Sequence, residues 1–134
     1  MFKYTRKIHV YETDLMGIVH HSNYLRLCEE ARVEWCVQNG ILDVSSVAVF
    51  GLTVIETRVQ HLKPARYGDE VTICVQVRAK GIRLYFQYLI ETKNVILSKA
   101  ETIHCSLDTE MKVKRLDQKL INLLQREKWT ETWL

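Results

Sequence analysis

Glu70-Val71-Thr72-Ile73-Cys74-Val75-Gln76-Val77-Arg78-Ala79-Lys80-Gly81-Ile82-Arg83-Leu84-Tyr85-Phe86-Gln87-Tyr88-Leu89-Ile90 is the stretch that decides the fold. Val71, Ile73, Val75, Val77 and Ala79 alternate with Glu70, Thr72, Gln76, Arg78 and Lys80, the period of two that a half-buried strand imposes. Ile82, Leu84, Phe86, Tyr88 and Ile90 repeat the pattern after Lys80-Gly81, a short glycine-containing turn. Two alternating runs around such a turn predict a β-hairpin. Lys93-Asn94 predicts a second tight turn, because Asn tolerates the left-handed conformation, and a third long strand follows over about residues 95–107. The three strands make an antiparallel meander.

Upstream, a strand over about residues 52–63 is closed by Pro64-Ala65-Arg66-Tyr67-Gly68-Asp69, and the opening segment from Phe2 to Tyr11 also alternates. One long stretch before the meander reads as helix. From Tyr24 to Gln38, apolar or small residues recur at Tyr24, Leu27, Cys28, Ala31 and Trp35, with Leu25, Val33, Cys36 and Val37 widening that surface. Ser22-Asn23 offers capping side chains at its start and Asn39-Gly40 a terminating pair at its end. One helix followed by long antiparallel strands is an α+β order, since parallel sheets alternate strand and helix throughout. An 11-residue strand spans about 36 Å and a 15-residue helix about 22 Å, so the sheet is long enough to curl around a buried central helix. Tyr85 and Leu89 fall on the opposite sheet face, which implies that a partner subunit covers them. A second amphipathic stretch, Leu116, Leu120, Leu123 and Leu124, leads into Trp129 and Trp133. Its default reading is cover for a sheet edge, with an oligomer seal or a membrane surface as alternatives.

The 134 residues, 47% hydrophobic, read as one self-sufficient domain, which at this size buries about two-thirds of the surface of its unfolded chain. Lys and Arg number 19 against 16 Asp and Glu, a net charge of +3, far from the dense cationic surface that phosphate-backbone binding requires. No apolar stretch of secretory or membrane-spanning length occurs, which predicts a cytoplasmic protein. Cys28, Cys36, Cys74 and Cys105 lie far apart without a Cys-x-x-Cys pair and read as buried reduced thiols.

The segment richest in chemistry is Tyr11-Glu12-Thr13-Asp14-Leu15-Met16-Gly17-Ile18-Val19-His20-His21-Ser22-Asn23-Tyr24. It sets a carboxylate, a glycine turn and two histidines just before a helix start, whose unpaired amides and positive dipole end suit a developing oxyanion. Asp14 is then a general base or nucleophile facing a polarised carbonyl, or else it merely caps a turn with the histidines incidental; spacing alone leaves both open. His20, His21 and Asp14 lack the spacing of a metal site.

Asp14-x-x-Gly17-Ile18-Val19-x-His21-x-Asn23-Tyr24, with Glu29 and Ala31-Arg32 on the helix, resembles the signature of the 4-hydroxybenzoyl-CoA thioesterase-like branch of the hotdog-fold superfamily, closest to its YbgC-type acyl-CoA thioesterases. Lys63-Pro64-Ala65-Arg66-x-Gly68-Asp69 resembles the same family's turn, and the likeness runs from roughly residue 2 to residue 110, leaving residues 111–134 as an extension of a single domain. The resemblance implies a long curved antiparallel sheet around one central helix. It also implies subunits paired as a homodimer or homotetramer, with sites at the dimer interface and hydrolysis of coenzyme A thioesters without a separate cofactor. Asp14 matches the catalytic carboxylate, His21 the residue whose backbone amide faces the thioester carbonyl, and Gly17 the glycine of the intervening turn.

A thiolate leaves easily, its conjugate acid having a pKa of about 8.5, so one carboxylate and an oxyanion site suffice. An aspartate with an ordinary pKa of about 3.9 is a weak base, so partial desolvation of Asp14 is expected. The phosphates of coenzyme A call for cations, for which Lys63, Arg66, Lys80 and Arg83 are the candidates. Val19, Asn23, Tyr24, Leu27 and Val54 are candidate substrate contacts or pocket walls. Glu29 is a possible second carboxylate, since another hotdog branch uses a helical glutamate, but an ion pair with Arg26 or Arg32 is the preferred reading. Cys28 falls on the core face and is no nucleophile. An acyl carrier protein as donor, or an acyl-CoA-binding scaffold without turnover, are the rival functions.

Overall fold

The computed structural model describes residues 1–41 and 52–134. Among them, strands β1 (Phe2–Lys7), β2 (Leu52–His61), β3 (Glu70–Lys80), β4 (Arg83–Thr92), β5 (Val95–Leu107) and the two-residue β6 (Val113–Lys114) form one antiparallel sheet. Its order is β1-β3-β4-β5-β2, with β6 on β5. Helix α1 (Ser22–Gln38) lies against one face, and helix α2 (Gln118–Leu124) follows the last strand. A short 3₁₀ turn, Val10–Glu12, continues the chain beyond β1 toward α1.

The alternation read from the sequence sets the register. Val75 sits opposite Tyr88, and Tyr88 opposite Ala100, so one row of core residues crosses three strands. These pack with Tyr24, Leu27, Cys28, Ala31 and Trp35 of α1 in a single apolar cluster. Trp35 meets Phe86 edge to face at 5.4 Å between ring centroids. Lys93 and Asn94 take φ of 48° and 64°, the two left-handed residues that a two-residue hairpin turn demands. The first hairpin turns one residue later than its spacing predicts, at Gly81–Ile82 with Gly81 at φ 62°, and Ile82 is exposed in the turn instead of opening β4.

Helix α1 begins at Ser22, and neither expected residue caps it by side chain: His21 holds the N-cap position without a side-chain bond. At the other end Gly40, at φ 70°, lets the Ile41 N–H return to the Cys36 carbonyl at 2.8 Å. Leu25 and Val33 face outward, so the buried stripe is narrower than the sequence suggests. All four cysteines are free and buried. Burial raises the Cys36 thiol to about 11 and the Cys28 thiol to about 12, which leaves both protonated and unreactive.

The C-terminal segment takes its default role and adds another. β1 covers β3 only as far as Val75, and α2 packs against β3, with Leu116 and Leu120 joining the core. The chain then crosses the outer face of the sheet. Gln76 Oε1 accepts from the Thr130 N–H at 3.1 Å, Gln87 Oε1 accepts from the Trp133 N–H at 2.9 Å, and Gln87 Nε2 donates to Glu101 at 2.7 Å. Arg78 stacks on the Trp129 ring at 4.1 Å. The face on which Tyr85 and Leu89 lie, half-buried, is thus partly covered by the chain's own tail, where a partner subunit was expected.

Candidate active site

Asp14 lies in a loop built by backbone pairing. Its N–H donates to the Ile18 carbonyl at 2.9 Å and its carbonyl accepts from the Gly17 N–H at 3.0 Å, a tight return that Gly17 permits at φ 77°. Asp14 Oδ1 accepts from the Met16 N–H at 2.8 Å, so one carboxylate oxygen does cap the turn. Among the described residues no donor meets Oδ2, and Asp14 lines an open groove of about 360 Å³ with Ile18, Val19, His21, Tyr24, His61, Leu62, Lys63 and Pro64.

The groove brings together the helix start and the Pro64 turn. The Val19 N–H donates to the Ala65 carbonyl at 2.8 Å, and the Ala65 N–H donates to the Tyr24 hydroxyl at 3.1 Å. Tyr24, buried in the first turn of α1, also holds the His61 ring edge-on at 4.9 Å. His20 Nδ1 contacts Ser22 Oγ at 2.8 Å, and its ring lies 4.1 Å from that of His21. Among the described residues no acceptor meets the His21 N–H at this positive end of the helix. A carboxylate and a helix-start amide bordering one groove can act on the two ends of a polarised carbonyl.

The thioesterase-like superfamily model matches residues 8–124. The chain belongs to the thioesterase-like superfamily. Among curated relatives of this thioesterase, one from Aquifex aeolicus that carries a provisional esterase name is 35% identical over 107 residues, 78% of this chain and 83% of its own. The acyl-CoA thioester hydrolase YbgC of Escherichia coli O157:H7 is 25% identical, covering 90% of this chain and 93% of its own. The structure of a 1,4-dihydroxy-2-naphthoyl-CoA thioesterase from Synechocystis superposes with a TM-score of 0.85 over 93% of this chain and 96% of that one, at 24% identity. The resemblance read from residues 14–24 is borne out, and with it the hotdog arrangement of sheet and helix.

Within this groove, Asp14, Val19, His21, Tyr24 and Lys63 come together as the sequence predicts. Asn23 does not line it: its Nδ2 donates to the Glu12 carbonyl at 2.8 Å, which ties the helix to the preceding loop. Gly17 shapes the loop without lining the groove, and Arg66 flanks it, bridged to Ile18. Lys80 ends β3 and Arg83, paired with it, opens β4, a whole strand length from the Pro64 turn, so one chain does not bring them to the groove. Leu27 is sealed in the core, and Val54 lies at the opposite end of β2 from His61. Glu29 lines a separate hollow with Tyr4, Arg26, Glu30, Val33 and Glu34, which shares no lining residue with the groove of Asp14. Among the described residues it forms no ion pair with Arg26 or Arg32; Arg32 donates to the Tyr88 hydroxyl at 3.2 Å instead. His61 and Leu62 are groove residues that sequence reasoning missed; their position directly before Lys63-Pro64 was the available signal. Among the described residues no group of three His, Cys, Asp or Glu side chains is placed to hold a metal, and no helix is long and apolar enough to cross a membrane.

Proposed function

We propose that the chain hydrolyses the thioester of an acyl-CoA, giving a free acid and coenzyme A, with Asp14 as the reacting carboxylate. The observation that carries this reading is the groove itself, which Asp14 and the first residues of α1 border together. The thioester carbonyl oxygen points at the His21 N–H, where the positive helix end stabilises the charge that develops as the carbon becomes tetrahedral. Asp14 either takes the proton of an attacking water, whose oxygen bonds to the carbonyl carbon, or bonds to that carbon itself to form a mixed anhydride that water then cleaves. Either way the C–S bond breaks and the electron pair leaves on sulfur, which needs no strong acid to receive it.

Lys63 at the groove and Arg66 beside it supply charge for the phosphates of the nucleotide end. The reaction needs no metal or further cofactor in this reading. The groove is shallow and open in one chain, and a second copy, as in the family's dimers, supplies the other wall, excludes water and desolvates Asp14. A cytoplasmic location follows from the same substrate. Turnover of short, long and aromatic acyl-CoAs, read as released thiol beside the same acyl groups on acyl carrier protein, tests the proposal. The expected result is faster hydrolysis of at least one acyl-CoA. A strong preference for the carrier protein overturns the choice of donor, and binding without hydrolysis of any thioester overturns the enzyme.

A further inference from the structure

The first strand places Phe2, Tyr4, Arg6 and Ile8 in the same alternating phase, with Phe2, Tyr4 and Arg6 half-buried and Lys3, Thr5 and Lys7 exposed. A guanidinium therefore occupies a core-facing position on an edge strand. Its partners explain why. Arg6 Nη1 donates to Glu12 Oε1 at 2.7 Å and Nη2 donates to Glu12 Oε2, a two-pronged pair with a carboxylate that is itself only 5% exposed. Nη2 also donates to Glu30 Oε2 of α1 at 3.0 Å, while Nε lies 2.9 Å from Glu30 Oε1, off the line of its N–H. Nη1 reaches the Lys7 carbonyl at 2.8 Å as well. One side chain thus joins β1, the loop before Asp14 and the third turn of α1.

Glu12 carries the connection to the groove. Its carboxylate accepts from the His9 N–H at 2.8 Å, and its backbone carbonyl accepts from both the His20 N–H at 2.9 Å and Asn23 Nδ2 at 2.8 Å. Two residues on, Asp14 begins its return through Gly17 and Ile18. The carboxylate bearing the chemistry and the helix start that faces the carbonyl are therefore held to one another through Glu12, which Arg6 fixes in place. The groove is not lined by either residue. The apposition is charged and largely withdrawn from solvent, where losing one partner leaves the other uncompensated. The Arg6 guanidinium beside it holds the Glu12 carboxyl below its ordinary range.

We infer that Arg6 and Glu12 are positioning residues for thioester hydrolysis, setting the distance between Asp14 and the amides at the start of α1 without touching substrate. This rests on Asp14 being the reacting carboxylate. Misplacement of a reacting group by about 1 Å is enough to lower a rate by a factor of about 100, so the rate should respond before binding does.

The test compares Glu12→Gln, Arg6→Lys, their double variant and Asp14→Asn in the full chain, using acyl-CoA hydrolysis and the affinity for a non-hydrolysable CoA thioether. Gln76→Ala, which removes hydrogen bonds to the tail on the outer face, calibrates what a loss of stability alone does to turnover. The expected result is a kcat at least tenfold lower for Glu12→Gln and Arg6→Lys. KM and thioether affinity should stay within about twofold of the unsubstituted chain, and the double variant should be no slower than the slower single one. If Glu12→Gln does not fold, the same criteria apply to Arg6→Lys. A kcat within twofold of the unsubstituted chain, or a loss matched by Gln76→Ala at the same melting temperature, overturns the inference. Full turnover in Asp14→Asn would instead overturn the reading of Asp14 on which it rests, so the two failures are distinguishable.

Discussion

His104 is a residue whose ionisation burial moves far from the ordinary. It is buried beneath α1, with Nε2 2.8 Å from Thr102 Oγ1, which shares a second 2.8 Å bond with the Tyr88 hydroxyl. Burial lowers its pKa from 6.5 to about 3, with the nearby Arg32 charge acting in the same direction. Between those values the unfolded chain binds a proton that the folded chain refuses. Stability therefore falls as pH drops from about 6.5 toward 3, by up to about 1.4 kcal/mol per pH unit. Denaturant unfolding of His104→Gln across that range should show a shallower loss than the unsubstituted chain; equal slopes would contradict the account. That Asp14 and His21 share a groove was legible from the family resemblance of residues 14–24, which spacing alone left open, and the inertness of Cys28 was legible because helical phase carries it. The partner of Arg32 was not. Its bond to Tyr88 crosses from helix to sheet over a separation that no periodicity encodes.

At the scale of elements, the first turn of α1 and the Pro64 turn form one unit through Tyr24. Tyr24→Phe keeps the ring but strands the Ala65 N–H, which is fully buried, at a cost of about 1–3 kcal/mol. The groove wall bearing Lys63 and Pro64 should loosen with it, so a lowered melting temperature and a KM raised severalfold are expected, measured by thermal unfolding and steady-state hydrolysis. An unchanged KM would show that the two turns hold position independently. The hairpins, the central helix and its glycine terminator were readable because period two, period 3.6 and turn residues are local signals. What failed was also element-scale. Ser22 and Asn23 have the right chemistry for caps, yet Asn23 is engaged by the Glu12 carbonyl and Ser22 by His20. Arg83 shares a hairpin with apolar core residues, but the length of β3 carries it away from the groove.

For the whole molecule, the tail is the feature that sequence alone described least. Leu116 and Leu120 announce an apolar stripe, but nothing local says that the chain continues across the sheet to bond Gln76 and Gln87. Removing residues 130–134 should cost about 3 kcal/mol, from losing the burial of Trp133 itself and the hydrogen bonds that the segment makes to Gln76 and Gln87. Thermal unfolding should then shift down by roughly 10 °C, and sedimentation would show whether the uncovered face drives further association. An unchanged melting temperature would mean that the strap contributes nothing to the fold. The groove, by contrast, was foreseen as a set of residues and not as a shape, since the loop around Asp14, the helix start and the Pro64 turn meet only in three dimensions. The most direct measurement is single-turnover release of coenzyme A by Asp14→Asn beside the unsubstituted chain, with both shown to have the same melting temperature. The account predicts a rate lowered at least a hundredfold in Asp14→Asn with CoA thioether affinity retained; release at the unsubstituted rate would contradict it.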